Sequence, residues 1–213
     1  MAKTVVLITQ AASTCPTYAQ RLHQFFGSSI ALKTFSVEAG DFPRMPTDAD
    51  LYIIAATSSD AFAQISALIP DKEHVVTPSL TFFKKEIDAL RQFPRGTQAM
   101  LVNLSVQMAY ESIAELNYLG ITQIEFIPVY PGSSYPPDVT LAITPGESRY
   151  VPPTVLQVID LGPRVFTTDT LLKIALKLGF TWFPKSAEFC SYAESLAHQG
   201  QSLAALWRAN LKA

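Results

Sequence analysis

Short runs of β-branched and aliphatic residues recur along this chain, and most are closed by a hydroxyl or amide residue and followed by a stretch with helical spacing. Val5-Val6-Leu7-Ile8-Thr9 is the first. Residues 16–26 follow, with Tyr18, Leu22 and Phe25/Phe26 at helical intervals, Pro16 suited to a first turn and Gly27 to a stop. Residues 30–37, 51–56 and 74–77 read as further strands, with helices expected at 61–68 and 80–93. Strands that alternate with helices in this way form parallel βαβ units, because a parallel pairing needs a long crossover.

The rhythm restarts after Pro94-Arg95-Gly96, which reads as a boundary between two lobes. Strands are expected at 99–104, 121–129, 139–144 and 164–167, and helices at 105–119, 153–159 and 170–178. The expected fold class is α/β: two Rossmann-like lobes (1–96 and 97–185), each with a small parallel sheet, an inter-lobe cleft, and a C-terminal helix within 186–213. In that tail Phe189, Tyr192, Leu196, Leu203 and Leu206 fall on a seam with heptad-like gaps, interrupted by Gln199 and Gly200. The tail suits either a helix packed on its own domain or a homodimer formed through the C-terminal helix.

Composition narrows the function classes. Of 213 residues, 48% are hydrophobic and 16% charged, a core-forming balance. A formal net charge of -2 gives no electrostatic footprint for nucleic acid. No apolar run approaches the ~18 residues that span a bilayer, and the opening MAKTVVLITQ lacks a signal-peptide pattern, so a cytoplasmic address is expected. Cys15 and Cys190 fit no metal spacing, and His23, His74 and His198 have no evident partner in sequence, so no metal or cofactor is expected.

Catalytic patterns fail for chemical reasons. Cys15 to Arg21 has the C-x5-R spacing of a tyrosine phosphatase, but Pro-Thr-Tyr-Ala-Gln between them has no glycine, and its proline removes an N–H from the cradle. The two cysteines do not occupy equivalent places in the two lobes, as a two-thiol racemase requires. No acid follows the first strand to hold the magnesium of a receiver domain. Neither G-x-G-x-x-G nor G-x-x-x-x-G-K-[ST] occurs.

What the strand ends do share is a set of hydroxyls, amides and loop breakers, with few groups that titrate near neutrality. The candidate ligand-binding residues are Gln10, Thr57, Ser58, Ser79, Asn103, Ser105, Tyr130, Thr144 and Glu147. Such a set holds a small ligand well and does acid–base chemistry poorly. The same residue types also cap the helices that follow, and both uses are compatible.

Several segments carry a resemblance. LVN at 101–103, ELNYLGI at 115–121, IPVYPG at 127–132, AITPGE at 142–147 and IDLGPR at 159–164, with LYIIAAT at 51–57, look like the amino-terminal sensory region of sigma-54-dependent transcriptional activators and PAS-containing regulators. The broader group is typified by the receptor domain of the propionate-catabolism activator. The resemblance implies a two-lobed receptor for a small-molecule effector that restrains a downstream PAS, ATPase or DNA-binding region outside this chain. The leading expectation is therefore a ligand-sensing regulatory domain of a bacterial transcription regulator, not an enzyme. The alternatives are a ligand-free interaction module of the same fold, and an enzyme built from Glu147, Asp169 and Tyr130.

Overall fold

The computed structural model describes residues 2–56 and 58–196; Thr57, His198, Leu203 and Leu206 lie outside them. The chain is α/β and divides into two units that are discontinuous in sequence. The first holds residues 2–80 and 166–194, the second 81–165 and 195–196.

In the first unit, β1 (Lys3–Thr9) leads through α1 (Cys15–Phe26) to β2 (Ile30–Ser36), and β3 (Leu51–Ala55) through α2 (Ser59–Leu68) to β4 (Val75–Val76). The strands are parallel in the order β2-β1-β3-β4. Because side chains alternate across a strand, Val6 and Ile8 face one side and Val5 and Leu7 the other. The first side packs with Tyr52, Ile54, Ile65, Ile69 and, from the β2–β3 connection, Met45 and Ala49. Lys3 and Thr4 at the start of β1 are tied to Asp50, just before β3: Lys3 Nζ donates to Asp50 Oδ1 and Thr4 N to Oδ2, each at 2.8 Å.

The last part of the first unit arrives from far along the chain. The chain leaves after β5 (Leu80–Thr81) begins and returns within β10 (Val165–Phe166); β5 and β10 form a separate two-stranded sheet. Then α5 (Thr168–Leu178) packs against β3 and β4 with Leu171, Ile174 and Ala175 buried. Gly179 ends it in the left-handed conformation, φ +74°, where a glycine is favoured. The segment that follows is aromatic. The Phe183 ring centroid lies 4.7 Å from Phe26, 5.9 Å from Phe25 and 4.9 Å from Phe189. In α6 (Ala187–Ser195), Tyr192 stacks edge-on at 4.8 Å from Phe25, and the Arg21 guanidinium lies 5.7 Å from its ring centre. The part of the expected C-terminal helix that is described thus packs on α1 of its own unit.

The second unit repeats the plan. α3 (Lys84–Leu90) precedes β6 (Thr97–Val102), and α4 (Val106–Tyr118) joins β6 to β7 (Ile124–Val129); β8 (Leu141–Thr144) and β9 (Gln157–Asp160) complete a parallel sheet of order β7-β6-β8-β9. Ile87 and Leu90 of α3 and Ala109 and Leu116 of α4 cover one face, against Ala99, Leu101 and Ile143. The other face, with Met100, Val102 and Ala142, is covered by connections: Val139, Tyr150, Val151 and Val155 pack there. Six prolines between 131 and 153 remove N–H groups that a helix would need. Leu196 adds an isolated antiparallel bridge to Phe83.

Three expectations change. The turn at Pro94-Arg95-Gly96 lies inside the second unit, between α3 and β6; Gly96 adopts φ +84° and its N–H bonds Gln123 O at 2.9 Å. The unit boundaries fall instead at 80/81 and 165/166, so α3 joins the second sheet and α5 the first. Residues 153–159 are not a helix. Leu156 N and Gln157 N both donate to Thr140 O, at 2.9 and 3.1 Å, and Gln157 to Asp160 pair with β8 as an edge strand. The helix expected at 80–93 is cut to 84–90 because residues 80–81 are extended.

Two outcomes follow from this packing. Phe183→Ala removes a fully buried ring from the aromatic cluster and costs about 3–5 kcal/mol of unfolding free energy in a urea titration. Asp50 is held below the ordinary carboxylate range, first by its hydrogen bond from Lys3 and further by Thr4 N–H and the Lys3 charge. A carboxylate with a lowered folded pKa stabilises above its unfolded pKa, and that share is lost as pH falls through the folded value. Asp50→Asn therefore destabilises at neutral pH and flattens the acid limb of a stability–pH curve.

Candidate functional site

In a parallel sheet of this order the chain reverses direction between the first and third strands, and ligands bind outside the carboxyl ends of the strands there. The two sheets present two such places, β1/β3 and β6/β8.

At β1/β3, Gln10 bridges the strand ends. Its N–H donates to Ala55 O at 3.2 Å and its Oε1 accepts from Ser58 N at 3.4 Å. Ser58 Oγ caps α2 by accepting from Ala61 N at 3.4 Å. The first turn after β1 is where a dinucleotide fold seats a phosphate. Here Ala12 N donates to Glu38 Oε2 at 2.8 Å, so a carboxylate from beyond β2 occupies the anion position. That agrees with the missing glycine fingerprint.

Beyond β4, Ser79 meets the start of α5. Ser79 N donates to Thr170 Oγ1 at 2.9 Å, and Ser79 O accepts from Thr167 N at 3.0 Å and from Thr170 Oγ1 at 3.2 Å. Because the Thr170 hydroxyl proton goes to Ser79 O, Thr167 Oγ1 is the donor in their 3.0 Å contact, while it accepts Thr170 N as the helix cap. Thr168 is fully buried, and its Oγ1 has no hydrogen-bond partner among the described residues. One residue before this cluster, Phe166 O accepts the Tyr192 hydroxyl. Burial pushes the Tyr192 phenol well above its ordinary value, so it stays a donor.

At β6/β8, Asn103 is a buried clamp. Its Nδ2 donates to Met108 O and Ser112 Oγ, both at 3.1 Å, and its Oδ1 accepts Leu104 N at 2.7 Å. Ser105 Oγ caps α4 from Met108 N at 3.3 Å. Tyr130, opposite Asn103 across the sheet, uses its backbone in a turn closed by Ser133. Thr144 Oγ1 is buried and accepts Glu147 N at 2.9 Å. The Glu147 carboxylate, nearly buried, pairs with Arg149 at 3.1 Å, and Arg149 stacks on the Tyr150 ring at 4.8 Å.

The strand-end candidates that are described thus gather into three groups: Gln10 with Ser58, Ser79 with the α5 start, and Asn103, Ser105 and Tyr130 beside Thr144 and Glu147. Asn103 and Thr144 commit their side-chain polar groups to the fold; Gln10, Ser58, Ser105 and Tyr130 keep part of their surface, and Ser79 is exposed. Sequence reasoning missed Asp160. Its Oδ1 accepts Gly146 N and Gly162 N, each at 2.9 Å, and its Oδ2 accepts Ser148 Oγ at 2.7 Å. It joins the AITPGE and IDLGPR turns, and at Gly146 (φ +90°) an added Cβ would come 3.3 Å from Pro163 N. An acid directly before a Leu-Gly-Pro turn was the signal. Glu38 carried none, because its role depends on a contact 26 residues away.

Among the described residues no group of three or more His, Cys, Asp or Glu side chains is placed to hold a metal ion, and Cys15 and Cys190 are free thiols. Comparison with protein-family models, with curated proteins and with solved structures finds no match to this chain.

The two neighbouring threonines of α5 separate capping from an unpaired hydroxyl. Thr167→Val loses the cap and costs about 1–2 kcal/mol. Thr168→Val replaces an unpartnered buried hydroxyl by a methyl of the same shape and stabilises by about 1 kcal/mol. Urea midpoints read both, and a destabilising Thr168→Val would mean that the hydroxyl has a partner in solution.

Proposed function

We propose that this chain is a ligand-sensing regulatory domain, of the kind found in bacterial transcription regulators, that binds a small hydroxylated or anionic molecule at the carboxyl ends of its strands. The observation that carries this reading is the repeated parallel sheet, whose strand ends present hydroxyls, amides and helix N-termini. The acids that a catalytic reading would use are engaged close by in sequence: Glu147 by Arg149 and Asp169 by Lys173 at 2.7 Å. The transcriptional role itself rests on the resemblance of the LVN, AITPGE and IDLGPR segments.

The proposed signal runs through the first unit. Ser79, Thr167 and Thr170 form one hydrogen-bonded cluster, and Phe166, the residue before it, holds Tyr192 of α6. A ligand that shifts the start of α5 moves the anchor of the C-terminal helix, the element through which the domain passes its state to an effector region.

The test is a thermal-shift screen of the full chain with small carboxylates, phosphates and polyols, followed by calorimetry on each hit. A true effector at about 100 times its Kd stabilises by about 2.7 kcal/mol. Gln10→Ala or Ser79→Ala weakens that binding, while Tyr192→Phe leaves binding in place and changes amide-exchange protection in α6. A library that produces no shift, or hits indifferent to both strand-end substitutions, would overturn the reading.

A further inference from the structure

α4 is amphipathic in an unusual way. Ala109, Ser112 and Leu116 are buried against the second sheet. The outward half carries Val106, Gln107, Tyr110, Ala114, Asn117 and Tyr118, all exposed and none charged. Of the two charged residues on the helix, Glu115 lies at the border between the two halves, while the half-buried Glu111 lies on the outward half beside Ala114, where its charge is held by Arg164 at 3.2 Å. A solvent face normally carries Lys, Glu or Arg, whereas depletion of charge with enrichment of tyrosine marks an interface. Tyr110 and Tyr118 are 58% and 63% exposed, and Val106 is 45% exposed.

We propose that this face is the contact surface between two copies of the chain, packed antiparallel about a two-fold axis at Ala114. The spacing is self-complementary. Tyr110, Ala114 and Tyr118 lie on one i, i+4 row, Ala114 opposite the buried side and a tyrosine one turn to either side. In an isologous contact each residue meets the one equally far on the other side of the axis. Tyr110 then meets Tyr118 of the second copy, and the small Ala114 allows close approach at the crossing, as rows of this kind do when they interdigitate at about -50°. Charge is compatible with the same register. Glu111 meets Asn117 of the second copy and Glu115 meets Ile113, so neither acid opposes another.

The area sets the strength. Tyr110 and Tyr118 are 58% and 63% exposed, so of the roughly 150–250 Å² of a large aromatic each offers about 100–150 Å², and with its exposed neutral neighbours the face offers at most roughly 500 Å² per copy. About 1,000 Å² in total is the lower end of specific interfaces. The dimer is therefore transient and concentration-dependent.

Sedimentation equilibrium of the full chain from about 10 µM to about 1 mM reads it directly. The apparent mass rises with concentration from 23.4 kDa towards twice that value. Ala114→Arg stays monomeric throughout, with a circular-dichroism melt like that of the parent. A second variant guards against misfolding: Ala114→Cys, with Cys15→Ser and Cys190→Ser, forms a covalent dimer under mild oxidation, since crossing helices bring these positions within the roughly 4.4–6.8 Å between Cα atoms that a disulfide requires. A chain monomeric over the whole range overturns the proposal. So does association that survives Ala114→Arg, which would place the contact elsewhere, for example on the C-terminal helix, and so does failure of the cysteine variant to cross-link.

Discussion

The first unit depends on a return of the chain. Its sheet is laid down by residues 3–76, but α5 and the aromatic segment that cover it come from beyond residue 166. Phe183 sits among Phe25, Phe26, Trp182 and Phe189, and Tyr192 closes on Phe25. Without that segment, α1 would leave much of its apolar face in water, since Phe25 and Phe26 face these rings. Burial of large aromatics is among the strongest sources of packing energy available to a small domain. Here that energy makes the N-terminal residues and the segment after 166 a single cooperative body.

The same arrangement places the chemistry. The pairing of β10 with β5 sets the start of α5 beside Ser79, and the cluster of Ser79, Thr167 and Thr170 exists only because of that return. The Tyr192 hydroxyl on Phe166 O then connects the C-terminal helix to the cluster through one residue. Chain connectivity, packing and the proposed sensing route are thus consequences of one constraint.

The second unit solves a different problem. Its sheet has helices on one face and proline-rich connections on the other, so two turns must do the work of a helix. Asp160 holds these turns together with three hydrogen bonds, and Asn103 fixes the start of α4. A short helical face that needs no further partner inside the unit is left outward, and its exposed residues are neutral.

Strand–helix alternation, the parallel character of both sheets and the capping roles of Ser58 and Ser105 were legible in the residues themselves. They depend on period, β-branching and N-cap chemistry, which act over a few residues. The paired roles of Gln10 with Ser58 and Thr144 with Glu147 were half legible: the residue types were marked, but not that they bond each other. The boundary at 94–96 was misplaced because a Pro-Arg-Gly turn looks alike within a unit and between units. The supposed helix at 153–159 was misread because a short apolar run has no decisive period, and its pairing with β8 settles it. By itself, then, the sequence determined the local elements and the hydroxyl and amide character of the strand ends. Only the tertiary structure decided which sheet each helix covers, because that choice is made by burial between residues up to about 170 positions apart, where local propensity carries no information.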